Sequence, residues 1–260
     1  MMPDNTETTT TVEIEWSYTP PTYFEEPITL ERDGYTIQIR EGKIKATMPG
    51  SRLDSQEGLR EVITNELDNY FLGAQPFRNA RFKISGGAIN RYYPDGRKDT
   101  TIVIQSGTFK MTGGRVDLVY TDSNGIVQDT RKERIKKTQR LAELANQYAP
   151  RNVTAKAVLK SYDAAINDSA NELVHLFEVW ETLAKTFGSE ADARNSLGIS
   201  NAKRSRLGQL ANDEPLRQGR HRGKHPGGLR NATTDELDEA RSIARKMIGA
   251  FLEYLEKQHS

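Results

Sequence analysis

Near Thr130 the apolar spacing of this chain changes from every second residue to every third or fourth, and no single layer of secondary structure satisfies both patterns. Before that point the chain alternates. In "TVEIEWSY", Val12, Ile14, Trp16 and Tyr18 share one face, and "YTIQIREGKIKATM" repeats the alternation across a Glu41-Gly42 turn, which predicts a hairpin. "RFKIS", "TTIVIQS" and "VDLVYTDSNGIVQ" are further strand candidates, the last folding back at Asn124-Gly125. Between them, Asp54 stands three residues before Glu57, a helix-start signal. Leu59, Val62, Ile63, Leu67, Tyr70 and Phe71 then follow helical spacing.

After Thr130 the pattern is helical. "RKERIKKTQRLAELANQYA" reads as a charged helix ended by Pro150. Ala155, Val158, Leu159, Tyr162, Ala165 and Ile166 form an apolar stripe that Leu173, Leu176, Phe177, Trp180, Leu183, Ala184 and Phe187 continue, as one helix or two. Ser189 with Asp192 marks a further helix start, "SNAKRSRLGQLAN" another short helix, and Thr233 with Glu236 a capping box before the last helix. The expected fold class is α+β. A threonine-rich tail (1–10), expected to be disordered, precedes a mixed strand/helix domain (11–128). A connecting helix and linker (129–152) then leads to an all-α helical bundle (153–260).

Composition narrows the function classes. With 260 residues and a formal charge of +1, the chain is no bulk polycation, so any affinity for nucleic acid must come from a local patch. No stretch approaches the roughly 20 apolar residues that span a bilayer. The start, "MMPDNTETTTT", has neither the basic nor the apolar region of a signal peptide. The absence of cysteine removes disulfides, thiolate nucleophiles and cysteine-ligated zinc. The expectation is a cytoplasmic protein with no membrane association.

One segment collects the charge. "RQGRHRGKH", from Arg217 to His225, holds two of the four histidines, and no acidic residue occurs from 216 to 230. Its glycine- and proline-rich carboxyl side, "PGGLRNATT", cannot continue a helix, which places the histidines at or near an exposed bend. "NDEP", just before it, reads as a helix end. Metal-independent cleavage of RNA needs a group that moves the proton of the ribose 2′-OH or of the leaving oxygen, and imidazole titrates near neutrality. It also needs a fixed cation beside the phosphorane-like transition state, for which arginine's planar fork is suited.

Other candidates carry less chemistry. His221 and His225 have the one-turn spacing of metal ligands, but no further histidine or cysteine stands near them, so neither a metal site nor a cofactor is expected. The Gly-Gly pairs of "ISGGAIN" and "MTGGRVD" read as bulges or turns. His175 reads as surface, His259 as a terminal residue, and Phe177 and Trp180 as core.

Arg220, followed by the polar His221, three more residues and His225, late in a helical region, resembles the signature of the HEPN superfamily. These are small helical domains, many of them RNases of toxin, antiviral and RNA-processing systems. The resemblance covers residues 153–257; the surrounding glycines and Pro226 depart from the helix on which the family carries its motif. It implies an endoribonuclease, in phage defence or toxin-like growth arrest, whose homodimer joins two motifs in one cleft through the helical domain. In that reading Arg220 stabilises the phosphate, His225 transfers the proton, and His221 orients or supplies a second proton. Arg217, Arg222, Lys224 and Arg230 would guide the RNA backbone, a salt-sensitive task. The amino-terminal domain would sense or dock a protein or small-molecule trigger. The alternative is a non-catalytic HEPN-like module binding RNA, nucleotide or protein through the same loop, or an adaptor whose basic surface is incidental.

Overall fold

The structure, a computed structural model, describes residues 10–102, 119–121, 127–224 and 227–259. It is mixed α+β and divides into two compact units. One comprises residues 10–65 and 82–102; the other comprises residues 66–81 together with the described residues from 119 onward.

The first unit is built on an antiparallel sheet of six strands: β1 (Thr11–Thr19), β2 (Ile28–Arg32), β3 (Tyr35–Arg40), β4 (Lys43–Pro49), β5 (Lys83–Tyr92) and β6 (Lys98–Ile102), in the order β2-β3-β4-β1-β5-β6. Its buried face is the one the alternation picks out: Val12, Ile14, Trp16 and Tyr18 lie beside Ile44, Ala46 and Met48 of β4 and Ile37 and Ile39 of β3. Glu41 (φ 49°) and Gly42 (φ 81°) make the tight turn of the β3–β4 hairpin, both in the left-handed region that such two-residue loops require. The "ISGGAIN" pair opens a bulge: Gly86 pairs with Trp16 and Ile89 with Ile14, so the register shifts at Gly87 and Ala88, opposite Glu15. A Cβ at Gly87 would stand 2.5 Å from the Glu15 carbonyl oxygen, so the close approach of the strands there requires glycine. "MTGGRVD", the Asn124-Gly125 bend and the tail before Thr10 lie outside the described residues.

Asp54 does not start the long helix. It closes a five-residue helix, α1 (Gly50–Asp54), and its carboxylate pairs with both terminal nitrogens of the Arg91 guanidinium on β5. The chain turns at Gly58 (φ 77°), and α2 runs from Leu59 to Arg78. Leu59 and Ile63 are buried, and Trp16 Nε1 donates to Thr64 Oγ1 at 3.2 Å. Val62, although at helical spacing, is 48% exposed.

The second unit holds the short pair β7 (Val119–Thr121) and β8 (Val127–Asp129), then α3 (Thr130–Tyr148), α4 (Val153–Asn167), α5 (Glu172–Thr186), α6 (Glu190–Leu197), α7 (Asn201–Gly208) and α8 (Thr234–His259). The continuous apolar stripe thus belongs to two helices: α4 stops at Asp168, and a 3₁₀ turn at Ser169–Asn171 reverses the chain into α5. Leu159, Tyr162, Leu176, Trp180, Leu183, Met247 and Phe251 are buried.

The unit is wider than residues 153–260. Leu141, Leu144 and Ala145 of α3 are buried, and a Cβ on Gly73 of α2 would stand 2.4 Å from the Ala145 Cβ. Asn152, beyond Pro150, caps α4 by accepting from the Ala155 amide at 2.9 Å. Pro150 therefore ends a helix without ending the core, so the stretch placed as a connecting helix and linker over 129–152 supplies part of the packed unit. Among the described residues no helix is long and apolar enough to cross a membrane.

Candidate functional site

The basic segment is a loop stapled to the second unit by its backbone. Helix α7 runs into a π-helical turn at Gln209–Asp213, and Glu214 then turns extended. The Arg217 amide donates to the Arg230 carbonyl at 2.9 Å and the Arg230 amide to the Pro215 carbonyl at 2.9 Å, so the two ends of the loop clasp each other. Leu216, 1% exposed, plugs the clasp into the core. The Arg220 amide donates to the Ala211 carbonyl at 2.7 Å. A Cβ on Gly219 would stand 2.9 Å from that same oxygen, so the loop lies against the π-turn only with glycine there. Arg222–Lys224 then form one 3₁₀ turn, with the Lys224 amide donating to the His221 carbonyl at 3.0 Å. The motif begins on a loop rather than on a helix, as its glycines dictate.

The cations of this loop have different fates. Arg220 donates to Glu181 Oε1 at 2.5 Å, and its guanidinium carbon lies 5.6 Å from the centroid of the Phe177 ring. Both partners stand on α5. Arg222 donates from Nε to the Gly219 carbonyl at 3.0 Å and from a terminal nitrogen to the Ala170 carbonyl at 2.9 Å and to Asn171 Oδ1. It ties the loop to the turn between α4 and α5. Arg230 makes a two-point contact with Glu236, both bonds at 2.7 Å, and stands 3.6 Å from Glu214.

Glu236 is also the acid of the α8 capping box. Its carboxylate accepts from the Thr233 amide at 2.8 Å, while its own amide donates to Thr233 Oγ1 at 3.2 Å. The Arg230 guanidinium, helped by that capping bond, holds the Glu236 carboxyl down at about 2.

Arg217, His221 and Lys224 remain. All three are exposed, and their side chains have no hydrogen-bond or ion-pair partner among the described residues. His225 lies outside the described residues. The loop therefore presents a tethered guanidinium at Arg220 with an imidazole and two further cations beside it in sequence, a set able to meet phosphate oxygens. Arg222 and Arg230 already serve the architecture.

Several residues that shape this site are not among those the sequence singles out for it. Glu181, Phe177 and Asn171 anchor the loop from α5 and its entry turn. Phe177 is core, at 5% exposure, yet the Arg220 guanidinium also lies over its ring. His175 is largely covered, not simply surface: Nδ1 lies 3.2 Å from Glu178 Oε2 and Nε2 lies 3.3 Å from Asp168 Oδ2. Asp168 accepts in addition from Asn171 Nδ2 at 2.7 Å, and the bonds from Asn171 and His175 hold its carboxyl below the usual carboxylate range. A continuous polar chain thus runs Glu178, His175, Asp168, Asn171, Arg222. Positions 175, 178 and 181 lie three apart, so one helix face carries all three polar side chains. That spacing was the available signal, opposite the apolar stripe. Among the described residues no group of three or more His, Asp or Glu side chains is arranged to hold a metal ion.

Comparison with models of known protein families, with curated proteins and with solved structures found no match to this chain.

Proposed function

We propose that the helical unit is a HEPN-like endoribonuclease that cleaves RNA by attack of the ribose 2′-OH on the adjacent phosphate. The observation that carries this reading is the tethering of Arg220. Its backbone is bonded to Ala211, and its guanidinium is held between Glu181 and Phe177 beside the exposed His221. A cation fixed before substrate arrives spends little reorganisation on the transition state. Arg220 stabilises the phosphorane, His225 moves the proton, and His221 orients or serves as a second proton carrier. Arg217 and Lys224 attract the RNA backbone. The reaction leaves a 2′,3′-cyclic phosphate and spares DNA, which lacks the nucleophile. A homodimer bringing two loops together and a role in phage defence or growth arrest rest on the family resemblance alone; a cytoplasmic location rests on composition, and a trigger-sensing role for the sheet unit is a proposal that no motif in residues 1–150 carries.

A second reading has its own support. Glu181, 2.5 Å from the Arg220 guanidinium, already answers part of the charge the reaction needs. That favours a non-catalytic module in which the loop binds RNA, nucleotide or protein. Incubating purified protein with total RNA and excess chelator separates the two. The nuclease reading expects cyclic-phosphate ends from wild type and none from His225→Ala. Cutting that persists in His225→Ala, or that stops only on chelation, overturns it. Binding without cutting leaves the module.

A further inference from the structure

The second unit carries a groove far from the basic loop in sequence, between α3 and α8, with a volume of about 720 Å³. Helix α3 lines it from Glu133 to Leu144 and α8 from Ser242 to Glu253, twelve positions on each. At 1.5 Å per residue that is a trough roughly 17 Å long, about three helical turns.

Its floor is apolar. Leu141 and Leu144 rise from α3, Gly249 and Ala250 lie on α8, and Phe77 closes one part. Gly249 sits inside a 26-residue helix, where glycine is normally unfavourable. No neighbour forces it there: a Cβ would meet only Leu141 Cδ1, at 4.0 Å, an ordinary contact. Gly73 on α2, by contrast, is demanded by close packing. What Gly249 provides is an open floor.

The rims are cationic. Lys136, Lys137 and Arg140 stand on α3 and Arg245 and Lys246 on α8, against only Glu133 and Glu253. Lys137 is 3.9 Å from Glu133, and Arg140 pairs with Glu256. Lys136, Arg245 and Lys246 have no acidic partner among the described residues, and Arg245 rests 5.4 Å from the centroid of the Phe77 ring.

We propose that this groove binds an acidic amphipathic helix, about three turns long, from a partner protein. An apolar stripe on that helix would fill the trough over Gly249 and Ala250, and its flanking carboxylates would meet Lys136, Arg245 and Lys246. RNA fits less well. Its backbone would use the rims but leave the apolar floor uncovered, and the one aromatic ring there already lies beneath an arginine. The inference does not depend on what the basic loop does.

The test uses the full chain and a display library of helix-stabilised peptides of three to four turns, randomised without charge bias. Enriched sequences should carry apolar residues at i, i+3 or i+4 and i+7, flanked by Glu or Asp. Fluorescence anisotropy with the best binder should show affinity falling at least about tenfold in the double variant Lys136→Glu/Lys246→Glu. Both residues are exposed, so that variant should keep its fold. Gly249→Leu should block binding, and Gly249→Ala should weaken it little. Enrichment of no acidic helical sequence overturns the proposal, as does a binder indifferent to both the charge-reversal pair and Gly249→Leu. Labelled poly(U) RNA that binds wild type and is lost in the charge-reversal pair would make the groove a nucleic-acid site instead.

Discussion

Glu172 at the start of α5 and Arg241 on α8 form a two-point ion pair in which the carboxylate is only 3% exposed. Asp238, 2.9 Å from the same guanidinium, supplies a second acceptor. Breaking such a pair on one side leaves a buried charge with no partner. Arg241→Met should therefore destabilise the protein by about 3–5 kcal/mol. The double variant Arg241→Met/Glu172→Leu should recover most of that loss, because it removes both desolvated charges. Urea midpoints for the two variants check this; a double variant no better than the single one would mean that packing by the arginine stem matters more than charge.

Two glycines that each meet α3 should respond in opposite directions. Gly73→Ala puts a methyl 2.4 Å from the Ala145 Cβ and 2.7 Å from the Ala142 Cα, contacts that only movement of α2 or α3 can relieve. The expected cost is about 1–3 kcal/mol. Gly249→Ala meets nothing closer than 4.0 Å and should stabilise by about 0.5–1 kcal/mol through the unfolded state. Thermal melts of the two single variants, read against wild type, decide both signs.

Glu236 makes stability depend on pH in a defined window. Its carboxyl is held at about 2 in the fold, against 4.5 for an ordinary glutamate. A depressed pKa means that the unfolded chain binds the proton first. The contribution is thus fully present above about pH 4.5 and is lost as pH falls towards 2. Glu236→Gln should lower stability at pH 7, and its difference from wild type should shrink across that window. A difference that stays constant from pH 6 to pH 2.5 would show that the amide loses hydrogen-bond geometry rather than charge.

Much of this architecture is written in short-range pattern. The alternation of Val12, Ile14, Trp16 and Tyr18 names the buried face of β1, and Thr233 with Glu236 names the start of α8, because each signal involves neighbours along the chain. Asp54 and Glu57 carry a helix-start spacing, yet Arg91, 37 residues away, takes the Asp54 carboxylate. The basic loop is the clearest case. No acid lies between 216 and 230, but the fold brings Glu181 to Arg220 across 39 residues and sets Glu214 and Glu236 around Arg230. Local sequence counts charges; which of them are already paired depends on long-range packing.

That pairing changes which cations should govern the salt dependence of the proposed RNA binding. Arg217 and Lys224 are exposed and unpartnered among the described residues, whereas Arg222 and Arg230 are held by neighbours. Arg217→Ala/Lys224→Ala should reduce the slope of log affinity against log salt by roughly 1–2. Arg222→Ala should instead loosen the loop from Asn171, and so lower thermal stability more than it changes the slope. An unchanged slope in the first variant would remove the loop from the binding surface.

Arg220 also offers a test of how many chains build the proposed cleft. If Arg220 and His225 act together within one loop, mixing Arg220→Ala protein with His225→Ala protein yields no intact set, and cleavage of RNA stays absent. If each cleft draws the two residues from opposite chains of a homodimer, a mixed dimer rebuilds one complete set. With free exchange about half the dimers are mixed, each with one intact Arg220–His225 set of two, so activity should return to roughly a quarter of wild type. Arg220→Lys is the matching control, since ammonium keeps the charge but loses the planar fork that meets Glu181 and, in the proposed reaction, would meet phosphate. It should cut far more slowly than wild type while binding RNA with a similar salt slope. Glu181→Gln separates positioning from charge: relaxed tethering should reduce the cleavage rate at saturating RNA more than it alters affinity. A Glu181→Gln protein that cuts faster than wild type would mean that the carboxylate restrains the arginine rather than orienting it.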